Sequence, residues 1–176
     1  MKKTTLMLAV LAFLVLCSYV MPQGSEWKLK DGYSIKFSSD NPSGVFNSMT
    51  GVINFDENNL SKAKFEIQIE AASINTGNGL KNKHAKGERF FDVKKYPYIY
   101  FRSTSVTKSA SGYVLTGKLK IKETEKEISI PFTFRNNVFS GSFSVNRLDY
   151  GVGPESGMAG KASKILLIDI SVPVTK

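Results

Sequence analysis

The chain has 176 residues, a formal charge of +9, one histidine and one cysteine. That length suits a single domain. One histidine cannot build a two-histidine metal cluster, and one cysteine supplies neither an intramolecular disulfide nor a cysteine-rich zinc site, so no metal and no cofactor is expected.

The chain opens on a leader pattern. Lys2 and Lys3 precede an apolar run from Leu6 to Leu16, shorter than the roughly 20 residues of a membrane span. Residues 1–23 are therefore expected to be a signal peptide, cleaved near Gly24, and residues 24–176 an exported domain, periplasmic or secreted. The alternative is a lipoprotein anchored through Cys17. Leu16 argues against it, because a small residue is wanted there. Without Lys2 and Lys3 the charge is about +7. An exported basic chain points away from nucleic acid; its surface suits peripheral contact with an anionic membrane.

From Trp27 onward the pattern is β. Phe65, Ile67 and Ile69 alternate with Lys64, Glu66, Gln68 and Glu70; Leu115, Gly117, Leu119 and Ile121 alternate with Thr116, Lys118 and Lys120. Ile128, Ile130, Phe132 and Phe134 alternate with Ser129, Pro131, Thr133 and Arg135, and Leu166, Ile168, Ile170 and Val172 repeat the theme. A period of two puts one face of each strand against a core and the other toward water. Asp31-Gly32, Ser111-Gly112 and Asn136-Asn137 stand between apolar runs, where Gly and Asn suit the left-handed conformations of tight hairpins. Hairpin spacing favours antiparallel strands. Pro131 removes a ladder donor and is expected at an edge, a bulge or an irregularity. The charged faces would be costly against lipid, so a soluble barrel with a charged outside and an apolar inside fits better than an outer-membrane barrel.

Two longer connections interrupt the strands. Residues 77–97 carry a short helix expected over Leu80–Lys86, with Leu80 as almost its whole apolar face. Residues 149–163 are rich in Gly and Ser and read as a loop or rim.

Several motifs along the chain point to a known family. Gly44-Val45-Phe46 leads into Gly51-Val52-Ile53-Asn54-Phe55-Asp56, and Ala72-Ser73-Ile74-Asn75-Thr76-Gly77-Asn78 forms a strand end and turn. His84, Phe90-Phe91-Asp92-Val93 and Tyr96-Pro97 follow, then Gly117-Lys118-Leu119-Lys120-Ile121 and Asn146-Arg147-Leu148-Asp149-Tyr150-Gly151-Val152-Gly153. In order and spacing these resemble the YceI-like family of lipid-binding, lipocalin-like barrels, from about Trp27 to Pro173. The chain departs from the family pattern at Asn82, Ala85, Arg89, Glu123 and Glu127. The resemblance implies an all-β fold, an antiparallel eight-stranded lipocalin-like barrel with a short helical excursion near 79–91. It also implies an isoprenoid or other amphiphilic lipid as partner.

Such a ligand needs an apolar bore. The inward alternates nominate Phe65, Ile67, Ile69 and Phe101, then Leu119, Ile121, Phe132 and Phe134, then Phe143, Val145, Ile168 and Ile170 as its lining. Phe90 and Phe91 are expected to close one end. His84, Arg147 and Asp149 are candidates for ordering the closing segments or meeting a headgroup; for Arg147 with Asp149, a purely structural ion pair or hydrogen bond is the simpler reading. Two rivals stand beside the binding protein. One is a barrel with a filled core that serves as a structural or protein-interaction module. The other is a hydrolase using His84, although no G-x-S-x-G elbow and no phosphate-cradling Walker loop is present. The pattern does not fix the oligomeric state, and a dimer is compatible with it.

Overall fold

Alternating β-branched, aromatic and charged residues form strands because a pleated chain presents successive side chains to opposite faces. In the computed structural model of the chain residues 26–176 are described; the expected leader and Cys17 lie outside them. The strands are β1 (Glu26–Leu29), β2 (Ser34–Ser38), β3 (Gly44–Phe46), β4 (Met49–Asn54), β5 (Lys64–Glu70) and β6 (Ile74–Asn75). After α1 (Gly79–Lys86) come β7 (Tyr98–Ser109), β8 (Gly112–Ile121), β9 (Thr124–Arg135), β10 (Val138–Asn146) and β11 (Ile165–Thr175).

These segments make eight staves. β1 and β2 both lie antiparallel to β11, at Lys28↔Thr175 and Ile35↔Ile170, so they are two halves of one stave. β3 and β4 form the next, since β3 pairs with β2 and β4 with β1. β5 and β6 form the third, paired with β4 and β3 respectively. β7 through β11 supply the rest as a meander, and the β1–β11 pairing closes the ring. The fold is a closed eight-stranded antiparallel barrel with one short helix, as the sequence pattern and the family resemblance led one to expect. Closure removes exposed sheet edges.

The three broken staves correct one expectation. Asp31-Gly32 is not a hairpin turn: the segments on either side of it pair with β11, not with each other. Gly32 takes φ +91°, which lets the chain jog and resume in the same direction. Asn136 and Asn137 do form a tight hairpin, with φ of 52° and 60° between the paired Arg135 and Val138. Pro131 marks an irregularity. β9 pairs with β10 only from Phe132 to Arg135, and above Pro131 the two strands part. Lys126 Nζ, 3.6 Å from Asp149 Oδ2, and Lys122 Nζ, 3.0 Å from the Gly151 carbonyl, bridge the upper end of that seam.

Outside, the wall is charged. Glu66 pairs with Lys64 at 3.1 Å and with Arg102 at 3.2 Å, and Lys118 pairs with Glu125 at 3.2 Å. Such exposed pairs contribute little stability, about 0–1 kcal/mol each. Among the described residues no helix is long and apolar enough to cross a membrane.

Inside, the barrel has two unlike ends. At the end holding the β7–β8 and β9–β10 hairpins, Phe55 sits 2% exposed. Its ring meets those of Tyr113 at 5.2 Å, Phe134 and Phe139 at 5.4 Å, Phe132 at 5.7 Å and Phe65 at 6.1 Å, mostly edge to face. Trp27 packs on Phe134 at 5.1 Å and donates its indole N–H to the Phe55 carbonyl at 2.9 Å. Such aromatic pairs add roughly 0.5–1.5 kcal/mol each beyond their buried area. The opposite end is hollow.

Candidate functional site

The hollow end encloses about 280 Å³. Its wall is built by the upper halves of the staves: Ile35 and Phe37 from β2, Phe46 from β3, Ile74 from β6, Leu119 and Ile121 from β8, and Leu166 and Ile168 from β11. Three segments roof it. The first is α1 with the turn that follows. Asn78 caps the helix by accepting from the Lys81 N–H at 3.0 Å, and Asn82 Oδ1 accepts from both the backbone N–H and the hydroxyl of Thr76 at 2.8 Å. Asn82 thus fastens the helix to the end of β6. Phe91 then lies edge-on to Phe46, 5.8 Å between ring centres, and Phe90 lies beside Gly153. A Cβ at Gly153 would come 2.5 Å from the Phe90 ring and 2.9 Å from Arg147 Nη1, and its φ of +76° also favours glycine.

The second roof segment is the turn and loop after β10, held by Arg147. This guanidinium is 4% exposed. It donates to the carbonyls of Val152 at 2.7 Å, Ser163 and Ala162 at 3.0 Å and Pro154 at 3.1 Å. Burial pushes its pKa down from the ordinary arginine value. Asp149 is not its partner; that carboxylate faces outward, toward Lys126 and the Asn146 amide. Arg147 and Asp149 are therefore neighbours in sequence with separate tasks, and the ion pair expected between them is absent. The third roof segment, around Asn41 and Pro42, is tied to the second by Ser163 N–H donating to the Asn41 carbonyl at 2.7 Å, and to α1 by Lys81 Nζ donating to Asn41 Oδ1 at 3.0 Å.

A polar cluster braces the outside of the roof. Glu123, at the β8–β9 hairpin where the family pattern differs, accepts from the Tyr96 hydroxyl and from Lys95 Nζ, the latter at 3.2 Å. The Tyr96 hydrogen bond, then Lys95, hold the Glu123 carboxyl below the usual range; Tyr96 and Glu123 push Lys95 up to about 12.

The twelve nominated bore residues fall into two groups. Ile69, Leu119, Ile121, Phe143, Val145 and Ile168 line the cavity. Phe65, Ile67, Phe101, Phe132, Phe134 and Ile170 do not; they belong to the packed part of the interior. Of the closing candidates, His84, Phe90, Phe91 and Arg147 line the cavity, while Asp149 does not. Sequence reasoning passed over Ile35, Phe37 and Ile74, although Ile35 and Phe37 alternate with Ser34 and Lys36. Lys81 had no signal of its own, since one lysine in a lysine-rich helix gives no sign of facing inward. Among the described residues, no three His, Cys, Asp or Glu side chains converge as a metal site would require.

The YceI-like domain family matches the chain over residues 24–174. A Yersinia enterocolitica protein named UPF0312 protein YE1254 is 26% identical over 153 residues, spanning 81% of this chain and 77% of that one. BcnA of Burkholderia cenocepacia superposes with a TM-score of 0.74 at 25% identity, covering 82% of this chain and 96% of its own. A domain from Saccharophagus degradans, described as polyisoprenoid binding, superposes with a TM-score of 0.53 at 12% identity over 85% of this chain and 92% of its own, a likeness of fold.

Proposed function

The chain belongs to the YceI-like domain family, and from that membership we propose that it is a non-enzymatic binding protein, holding an isoprenoid or similar amphiphilic lipid in the hollow end of its barrel. One observation carries this reading: a roofed cavity of about 280 Å³ whose wall is almost wholly aliphatic and aromatic. Such a site lies near the lower end of the roughly 300–1,000 Å³ common for small ligands. Each buried CH₂ contributes about 0.8 kcal/mol, so one five-carbon unit supplies on the order of 4 kcal/mol gross toward the cost of ordering the ligand. The binding description carried by the Saccharophagus degradans domain supports the same ligand class. The few polar groups at the cavity suit holding rather than chemistry.

The filled-core alternative draws support from the aromatic end, which is solid. It does not account for the roofed space above. Mass spectrometry of lipids extracted from natively purified protein tests the choice. One lipid per chain is expected; no stoichiometric lipid, together with no uptake of added polyprenyl ligands, would sink the binding reading. The proposal also places the protein outside the cytoplasm, on the leader pattern of residues 1–23. Fractionation of cells expressing a C-terminally tagged chain checks this, and recovery with the cytoplasmic fraction would refute it.

A further inference from the structure

Resting on the binding reading above, two features of the cavity narrow its occupant: the charge of its mouth and the position of its floor. Among the described residues, every ionisable side chain that lines it is basic: Lys81, His84 and Arg147. Asn41 and Thr76 are the neutral polar members, and no Asp or Glu lines it among the described residues. Arg147 is nearly fully buried and, among the described residues, is held by carbonyl oxygens with no carboxylate partner. A buried cation without a counter-charge is costly, and an anion placed near it relieves that cost. The roof around it is also basic, with six Lys or Arg against two acidic residues between positions 79 and 97.

The floor follows from the register. Leu119, Ile69 and Ile168 line the cavity, whereas Phe101, Ile67 and Ile170 do not. Phe101 is the cross-strand partner of both Leu119 and Ile67. Its ring lies over Gly117, where a Cβ would come 2.5 Å from Phe101 Cζ, so the absent side chain lets the ring fill the bore. Beneath it lies the aromatic cluster around Phe55. The space above the floor, about 280 Å³, is nearly twice the roughly 150 Å³ cavity that holds one benzene, so it takes on the order of a dozen carbons.

We infer that the occupant is a short-tailed anionic amphiphile: a phosphate or carboxylate headgroup at the Lys81, His84 and Arg147 mouth, and an apolar tail of two to three isoprene-sized units ending at the layer of Ile69, Leu119 and Ile168, above the Phe101 ring. A longer tail would have to continue out through the mouth or displace the aromatic end.

The test is a binding series on the delipidated protein by titration calorimetry. The probes are geranyl, farnesyl and geranylgeranyl phosphates, a forty-carbon prenyl phosphate, farnesol and inorganic phosphate. Farnesyl phosphate is expected to bind at least about tenfold more tightly than farnesol, a difference of about 1.4 kcal/mol. The forty-carbon probe is expected to bind no more tightly than farnesyl phosphate, and inorganic phosphate to give no measurable heat. Lys81→Glu should weaken farnesyl phosphate about tenfold and leave farnesol unchanged. Phe101→Ala should move the optimum to a longer tail; if circular dichroism shows that variant unfolded, Ile67→Ala reads the same floor. Equal binding of phosphate and alcohol overturns the headgroup assignment, and affinity that climbs to the forty-carbon tail overturns the floor. Free phosphate binding as well as farnesyl phosphate overturns the amphiphile and leaves an anion site. Failure of every prenyl probe, long or short, charged or neutral, overturns the binding reading itself.

Discussion

The two ends of this barrel share the same strands and differ in what fills them. The lower end centres on Phe55, 2% exposed, and closes with aromatic rings from β1, β5, β8, β9 and β10. The upper end is lined mainly by Ile, Leu and Val, with Phe37, Phe46 and Phe143 in the wall and Phe90 and Phe91 in the roof, and it surrounds free space. A ring sweeps more of a narrow bore than an aliphatic side chain does, so the choice between solid and hollow is made by residue size, layer by layer, on a common frame. Stability is concentrated where the rings interlock, and capacity where they do not.

The comparison breaks most sharply at Phe55. Phe55→Ala is expected to cost about 3–5 kcal/mol by urea unfolding, because its ring neighbours come from four strands and cannot all collapse into the vacancy. A loss below about 1 kcal/mol would mean that the lower end is not the stability core. A matched pair on one strand sharpens the contrast. Leu115 and Leu119 lie on the same inward face of β8, and Leu115 is packed between Val106 and Ile130 while Leu119 borders the cavity. Leu115→Phe is expected to cost about 1–3 kcal/mol from overpacking, and Leu119→Phe less than about 1 kcal/mol, because its ring has space to enter. The second variant should also lower lipid uptake. Equal costs for both would show that the cavity collapses in solution.

The smallest effects come from pH, and the two ends respond in opposite directions. At the lower end the Tyr113 hydroxyl donates to Glu57 at 2.5 Å; that hydrogen bond, with burial, raises the Tyr113 pKa. A raised pKa gives stability that is present below the ordinary tyrosine value of about 10 and is lost as pH climbs through the folded value. At the roof Glu123 has a lowered pKa, chiefly through Tyr96, so its contribution is present above the ordinary carboxylate value of about 4.3 and is lost as pH falls. Melting curves of Tyr113→Phe should flatten on the alkaline side and those of Glu123→Gln on the acid side. Either variant flattening the other limb would reverse the assignment.

How much of this was legible in the sequence follows from what a period of two can say. Alternation sorts inward from outward, and it placed Phe65, Leu119, Phe132 and Ile168 on the inner face. It carries no coordinate along the bore. Phe65 in the packed end and Ile69 in the cavity are four residues apart on the same strand, with nothing in the pattern to separate them. Asn136-Asn137 announced a hairpin because both residues must take positive φ. Asp31-Gly32 offered a comparable turn signal and made a jog instead, because its flanks find partners on β11 rather than on each other, a long-range outcome that no local signal carries. Arg147 was legible as a residue to watch, but its carbonyl partners come from a loop whose path the sequence does not reveal.

The interruptions in the first three staves have a mechanical consequence. They lie side by side and are laced together: the Tyr33 hydroxyl donates to the Asn47 carbonyl at 3.3 Å and accepts from the Met49 N–H at 2.9 Å, and the Asn47 N–H reaches the Ser73 carbonyl at 3.3 Å. Ile35, Phe46 and Ile74 above this line border the cavity; Trp27, Ile53 and Phe65 below it belong to the solid end. A continuous strand transmits bending along its length, whereas a crease absorbs it. On this side the wall is divided into two plates along a common fold line, and the upper plate is expected to move more freely than the plate beneath. Hydrogen exchange should then fall into two classes across that line, with faster opening in β2, β3 and β6 than in β4 and the lower half of β5.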